Sequence, residues 1–394
     1  MAEFEYEEVN GRKIRVRPTE AENEIDEYGN FHRQKNRFTT GFGEGKNPVE
    51  ADRYILFWGK GCNWSNRASI VRELLGLDAI KVEIVAHDPT HGRGSEGEGA
   101  KPAPSEGAAC CILPQAKKPE HAPKDGAACC ILPSAGKKDE KRFEHKSLGW
   151  EFVNSPDHVN PETGAQFLSE LYYNTDPDYA GRTTVPALVD YRTKKVANND
   201  YHRLTNYFEV DFKPFHKKGA PDLYPEELRD EIDALNDWLF DNVNNAVYRA
   251  QFAQSLQAFA DGYETFFAGL DQMDERLADR RFLFGDYVTD SDVRLYTTLA
   301  RLDVNYSRNI GPCKHRLVDY KNLWPYARDL WQIPAFAHNT YFKDIINRTR
   351  RGCENYFDST YYDIVLPDTV FDAMWGADTG REALSSDPGH KFRV

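Results

Sequence analysis

No stretch of this 394-residue chain is apolar for long enough to span a bilayer as a helix, and its opening, MAEFEYEE, is too acidic for a secretion signal. Positive charge is also in short supply. There are 63 Asp and Glu against 50 Lys and Arg, a balance that argues against nucleic acid as the main partner. Cysteine is sparse at seven residues, and four of these stand in adjacent pairs, which is not the spacing of a disulfide framework. These absences together lead to the expectation of a soluble cytoplasmic protein. What is present is aromatic: 23 Phe and 21 Tyr suit a packed globular chain, long enough for two domains.

The chain is organised around RYILFWGKGCNWSNRASIVRELLGLD, residues 53–78. Tyr54 to Trp58 is an apolar run of buried-strand length. Gly59 and Gly61 break it, and Cys62 follows. Trp64, Ala68, Val71, Leu74 and Leu75 then recur at helical spacing, with Gly76 placed to cap the helix C-terminus. Cys62 thus falls where a strand hands over to a helix. Unpaired N–H groups at a helix start favour an anion, the form in which a thiol reacts. The position equally suits a small residue buried in a tight turn. A second thiol is missing: Ser65 stands where a dithiol oxidoreductase has its resolving cysteine. A reactive Cys62 would form a mixed disulfide that an external thiol must release.

Along the rest of the chain, residues 1–50 are polar and turn-rich, with one short strand expected within Gly11–Pro18. GNFHRQKNRFTTGF reads as a solvated arm, with the alternative that it lines a charged ligand. A second strand is expected over Ala79–Val85. Residues from about 92 to 146 are rich in Gly, Ala, Pro, Lys and Glu and repeat GAACCILP at 107–114 and 126–133. This segment reads as a flexible loop insertion. Its pairs Cys110/Cys111 and Cys129/Cys130 are open to soft-metal binding, acylation, intermolecular disulfides or no role at all. Helical spacing returns over Gly164–Tyr173. Val185–Asp190 and Lys194–Ala197 form an expected hairpin, followed by a helix from Asp200. Pro186 at the start of an apolar strand is best explained by a cis bond that turns the preceding backbone outward. From Pro221 the pattern is helical. Leu228 to Val243 and Phe252 to Leu277 form apolar faces, Thr289 and Asp292 form a capping box, and a further helix is expected over Trp324–Leu330. The last forty or so residues read as an irregular tail.

Five stretches resemble the glutathionyl-hydroquinone reductases, the Xi class of glutathione transferases. They are GNFHRQKNRF, the Cys62 stretch, DPDYAGRTTVPALVDYRTKKVANND, DLYPEELRDEIDALNDWLFDNVNNAVYRAQFA and RFLFGDYVTDSDVRLYTTLARLDVNY. The resemblance implies an α/β thioredoxin-like N-terminal domain plus an all-α C-terminal domain, the glutathione transferase fold. It divides the chain into an arm (1–50), the thioredoxin-like domain with its insertion (51–212), the helical domain (221–350) and a tail (351–394). It further implies Cys62 as nucleophile and Tyr248 and Tyr306 as the quinol-site tyrosines. Trp150, Arg182, Val185, Asp200 and Tyr201 fall on the positions that bind the thiol co-substrate, glutathione or a related low-molecular-weight thiol, and no metal is implied. The substrate is expected to be a small aromatic quinol thioether, and the assembly a homodimer paired through its helical domain. A general thiol transferase, a reductive dehalogenase or a non-catalytic scaffold module on the same fold are the competing readings. The chain departs from the family motif Cys-Pro-Trp-Ala-His-Arg at Asn63, Ser65 and Asn66, and from its Glu-Ser pair at Asp200 and Tyr201. The last two departures lead to an expectation of weakened glutathione binding.

Overall fold

The computed structural model describes residues 6–9, 11–15, 17–18, 24–87, 146–147, 149–155, 157–346 and 368–394. The GAACCILP repeats and their four cysteines lie outside these residues. The N-terminus forms a hairpin, β1 (Tyr6–Val9) against β2 (Arg12–Arg15), where the sequence suggested a single strand. The apolar run Tyr54–Trp58 is β3, buried at every residue because it lies at the centre of a five-stranded sheet. β4 (Ile80–His87) runs parallel to β3, and the crossover between them is α1 (Asn63–Leu75). Gly76 ends α1 in the left-handed conformation, φ 59°, which costs glycine little.

β5 (Trp150–Phe152) pairs antiparallel with β4 and adds an edge strand that the sequence did not reveal. After α2 (Leu168–Thr175) come β6 (Ala187–Asp190), antiparallel to β3, and β7 (Lys195–Asn198), giving the order β5-β4-β3-β6-β7. α3 (Leu204–Val210) closes this unit. Pro186 sits one residue before β6, so no ladder donor is lost, and the Val185–Pro186 peptide is cis as expected. The GNFHRQKNRFTTGF segment is not a solvated arm. Phe31 and Phe42 are buried in the main core, and the Gly29 carbonyl accepts from Gln254 N–H at 2.8 Å. Its aromatic residues pin it between the sheet unit and the helices.

The helical unit begins with α4 (Arg229–Leu239), which runs through a π-type turn at Phe240–Asn244 into α5 (Ala246–Phe252). The apolar face expected from Phe252 onward is interrupted. Ser255 caps α6 (Leu256–Arg276) by accepting from Ala258 N–H, and Leu256 is exposed. α7 (Asp290–Arg301) starts at the expected capping box, with Asp292 accepting from both the Thr289 N–H and the Thr289 hydroxyl at 2.8 Å. A second π-type turn, Leu302–Tyr306, follows, and α8 spans Leu323–Trp331. The described part of the tail is ordered rather than irregular. Its α9 (Asp368–Trp375) buries Trp375 beside Tyr296 and Phe342. The buried Arg381 guanidinium donates to the Leu277 and Arg281 carbonyls, so the tail straps the helical unit. Among the described residues no helix is long and apolar enough to cross a membrane.

Candidate active site

Cys62 is the N-cap of α1, extended at φ −82° and ψ 123°, with its N–H bonded to the Gly59 carbonyl. Its side chain makes no cap bond; Sγ instead lies 3.7 Å from the Val185 carbonyl oxygen, which follows from the turn before Pro186. The β3–α1 turn and the β6 entry thus meet at the sulfur. The indole of Trp150 covers the same turn, since a Cβ on Gly59 would stand 2.6 Å from its ring. Glycine at 59 is what lets Trp150 approach the backbone here.

The first turn of α1 is tied to the helical unit by the motif positions that depart from the family pattern. Asn63 Nδ2 donates to Thr298 Oγ1 at 3.1 Å and to the Tyr306 hydroxyl at 3.2 Å. Asn66 Nδ2 donates to the Asn339 carbonyl at 2.8 Å, while Asn66 Oδ1 accepts from Arg301 Nη1 at 3.2 Å. Arg301 Nε also donates to the Gly61 carbonyl. Ser65 hydroxyl donates to the Gly59 carbonyl at 3.1 Å and so braces the turn rather than the thiol. Tyr248 and Tyr306 meet hydroxyl to hydroxyl at 3.1 Å, with Tyr306 set at the end of the second π-type turn.

Arg33, from the supposed arm, enters this group. Its guanidinium lies 4.5 Å from the Trp64 ring centre and 4.7 Å from that of Tyr248, and its Nε donates to Asn245 Oδ1 at 2.9 Å. Burial pushes its pKa down. Tyr201 packs against Trp64 with ring centres 4.9 Å apart and the planes tilted by 51°, and its carbonyl accepts from Arg67 Nη2 at 2.8 Å. Burial raises the Tyr201 phenol and holds the His202 imidazole down at about 3, so His202 is neutral at pH 7.

Asp200 Oδ1 accepts from His202 N–H at 3.0 Å and from Asn36 Nδ2 at 3.2 Å, at the start of the turn into α3. The Arg182 guanidinium is gripped by Glu24 at 2.7 and 2.9 Å, and its backbone is held by Gln34. The structure therefore brings Cys62 together with Val185, and Tyr248 together with Tyr306. It places Trp150 over the Cys62 turn and gives Arg182 a carboxylate partner of its own. Asn63, Arg33, Asn245 and Thr298 were missed from the sequence. Only the basic–aromatic mix around Arg33 and the asparagines in the motif signalled them.

Residues 256–329 match the family model for the glutathione S-transferase C-terminal domain. The glutathionyl-hydroquinone reductase YqjG of Escherichia coli is 31% identical over 313 residues, covering 79% of this chain and 78% of that protein. The chain belongs to the glutathionyl-hydroquinone reductase family. Among solved structures, the Xi glutathione S-transferase of Phanerochaete chrysosporium is 28% identical with a TM-score of 0.63, covering 82% of this chain and 88% of that one. The glutathione-bound structure of YqjG from Escherichia coli K-12 is 26% identical with a TM-score of 0.62, covering 88% and 96%. The glutathione transferase fold expected from the sequence, thioredoxin-like then all-α, is the fold observed. As a family member the chain is an enzyme, a thiol-dependent reductase of the transferase type.

Proposed function

We propose that this reductase removes glutathione from glutathionyl-hydroquinones through a mixed disulfide on Cys62. The Cys62 thiolate attacks the glutathionyl sulfur, the carbon–sulfur bond breaks, and its electron pair passes to the ring carbon. That carbon takes a proton from the Tyr248–Tyr306 pair, and the hydroquinone leaves. A second glutathione thiolate then attacks the glutathionyl sulfur of the mixed disulfide. This yields glutathione disulfide and restores the Cys62 thiolate. Trp150 and the Val185 backbone border the thiol side of the site, with Asp200 and Tyr201 at the glutamyl end. Arg182, though paired with Glu24, completes the proposed set. The glutathione-bound relative supports glutathione as co-substrate.

The observation that carries the reading is a thiol at the N-cap position of α1, against the Val185 carbonyl, joined through its neighbour Asn63 to two bonded phenols. A general thiol transferase has no carbon to protonate and no use for such a pair. The test is hydroquinone release from a glutathionylated hydroquinone, with mass spectrometry of Cys62. Full activity in Cys62→Ala would remove the proposal.

A homodimer and a cytoplasmic setting belong to the same proposal. The unpaired thiols of Cys62 and Cys313 suit a reducing compartment, and the helices after Pro221 carry many large apolar residues. Sedimentation at micromolar concentration is expected to show a dimer; a monomer would overturn that part alone.

A further inference from the structure

Asn63 is next to the nucleophile in the chain and fully enclosed, at 1% exposure. An amide N–H can only donate. In its 3.2 Å bond to Tyr306 the phenol oxygen is therefore the acceptor, which leaves the phenol's own proton to be given to another group. The Tyr248 oxygen stands 3.1 Å away. The two phenols are not equivalent. Tyr306 is 2% exposed and Tyr248 8%, and the Arg33 guanidinium lies 4.7 Å from the centre of the Tyr248 ring alone of the two.

We infer that Asn63 is a positioning residue that orders proton transfer through the pair, with Tyr248 as donor to the ring carbon and Tyr306 as the phenol that refills Tyr248. This rests on the reading above, in which a ring carbon is protonated when the carbon–sulfur bond breaks. One proton passes from Tyr248 to carbon and one from Tyr306 to Tyr248. The negative charge comes to rest on Tyr306, where the Asn63 N–H stabilises it, and solvent returns the proton after the hydroquinone departs. The second half of the cycle, thiol attack on the mixed disulfide, involves no carbon and does not use this order.

That asymmetry supplies the test. Asn63→Pro removes the amide at the first helical position, where proline is well tolerated. Asn63→Asp keeps the shape but offers Tyr306 only an acceptor, drawing its proton away from Tyr248. In single turnover with a glutathionylated hydroquinone, both variants are expected to slow hydroquinone release by about ten- to a hundredfold, the effect of losing one hydrogen bond to a charged group. The alkaline limb of that step should move to higher pH in both, because the phenolate loses its donor. Reduction of the mixed disulfide by added glutathione, and alkylation of Cys62 by iodoacetamide in Asn63→Pro, should match wild type. Unchanged hydroquinone release, or both half-reactions slowed together, overturns the inference and leaves Asn63 a structural tie. If wild type itself releases no hydroquinone, the proposed function fails. Ultraviolet titration of the phenols without substrate then decides the inference alone: an upward shift in both variants supports it, and superimposable curves overturn it.

Discussion

At the scale of single residues, the thiol side of the site depends on close approach. Gly59 lies beneath Trp150 with no room for a methyl group, so Gly59→Ala is expected to displace the indole from the Cys62 turn. Calorimetric titration should show weaker glutathione binding in that variant, and unchanged binding would detach Trp150 from the thiol site. The proposed glutamyl end offers the opposite change. Asp200 and Tyr201 replace the Glu and Ser of the family pattern, and the loss of one hydrogen bond to a charged group costs about 1.5–3 kcal/mol. The double variant Asp200→Glu, Tyr201→Ser is expected to bind glutathione about ten- to over a hundredfold more tightly. Tyr201 also packs on Trp64 and Phe240, so truncating it should lower stability by roughly 3 kcal/mol. Tight glutathione binding by wild type, unimproved in the double variant, would show that Tyr201 only packs.

Between elements, α3 and α7 are joined through buried polar groups. Arg294 pairs with Asp290 at 2.7 Å, and its Nη2 donates to the His202 carbonyl at 2.7 Å. Glu209 on α3 is buried beside them, accepts from Asn206 Nδ2 at 3.1 Å, and has its pKa raised well above the usual value, first by burial and then by the Asp290 charge. The folded state therefore keeps a proton on Glu209 that the unfolded chain loses above its own pKa. Stability falls as pH rises through that window, by up to about 1.4 kcal/mol per pH unit. Glu209→Gln removes the titration. Urea unfolding midpoints should coincide for the two proteins near pH 4 and favour the variant progressively toward pH 8. A constant difference across that range would mean that Glu209 acts through packing alone.

For the whole molecule, the tail is part of the fold. Trp375 and Arg381 are buried against the helical unit, and the Val288 and Asp222 N–H groups donate to the Lys391 and Arg393 carbonyls. Ending the chain after residue 367 exposes the face that Trp375 covers, and loss of one large buried aromatic side chain costs roughly 3–5 kcal/mol. A clear drop in the denaturant midpoint is expected; an unchanged midpoint would make the tail dispensable. The sheet unit itself was legible because its signals are local. A five-residue apolar run, a glycine break and helical spacing located β3 to the residue, set Cys62 at the start of α1 and marked its end at Gly76, and Pro186 marked the entry to β6. The edge strand β5 was not legible. It has three residues, follows the insertion, and is a strand only because β4 offers it a partner.

By itself the sequence determined the order of elements, the thiol at a helix start and the lack of a second thiol within its motif, where Ser65 stands, since propensity, periodicity and spacing act over a few residues. It also contained Tyr248, Tyr306 and Arg33, but not their meeting. Tyr248 and Tyr306 are 58 residues apart, and Arg33 bonds to Asn245 across 212 residues. Such contacts are set by tertiary packing, which lays α5 against the second π-type turn and the segment around Phe31 against α5. The asparagines at 63 and 66 looked like erosion of a motif when read in line. Packed, they are the groups that tie the Cys62 helix to the helical unit, because a buried amide must find partners and those partners came from the other half of the chain.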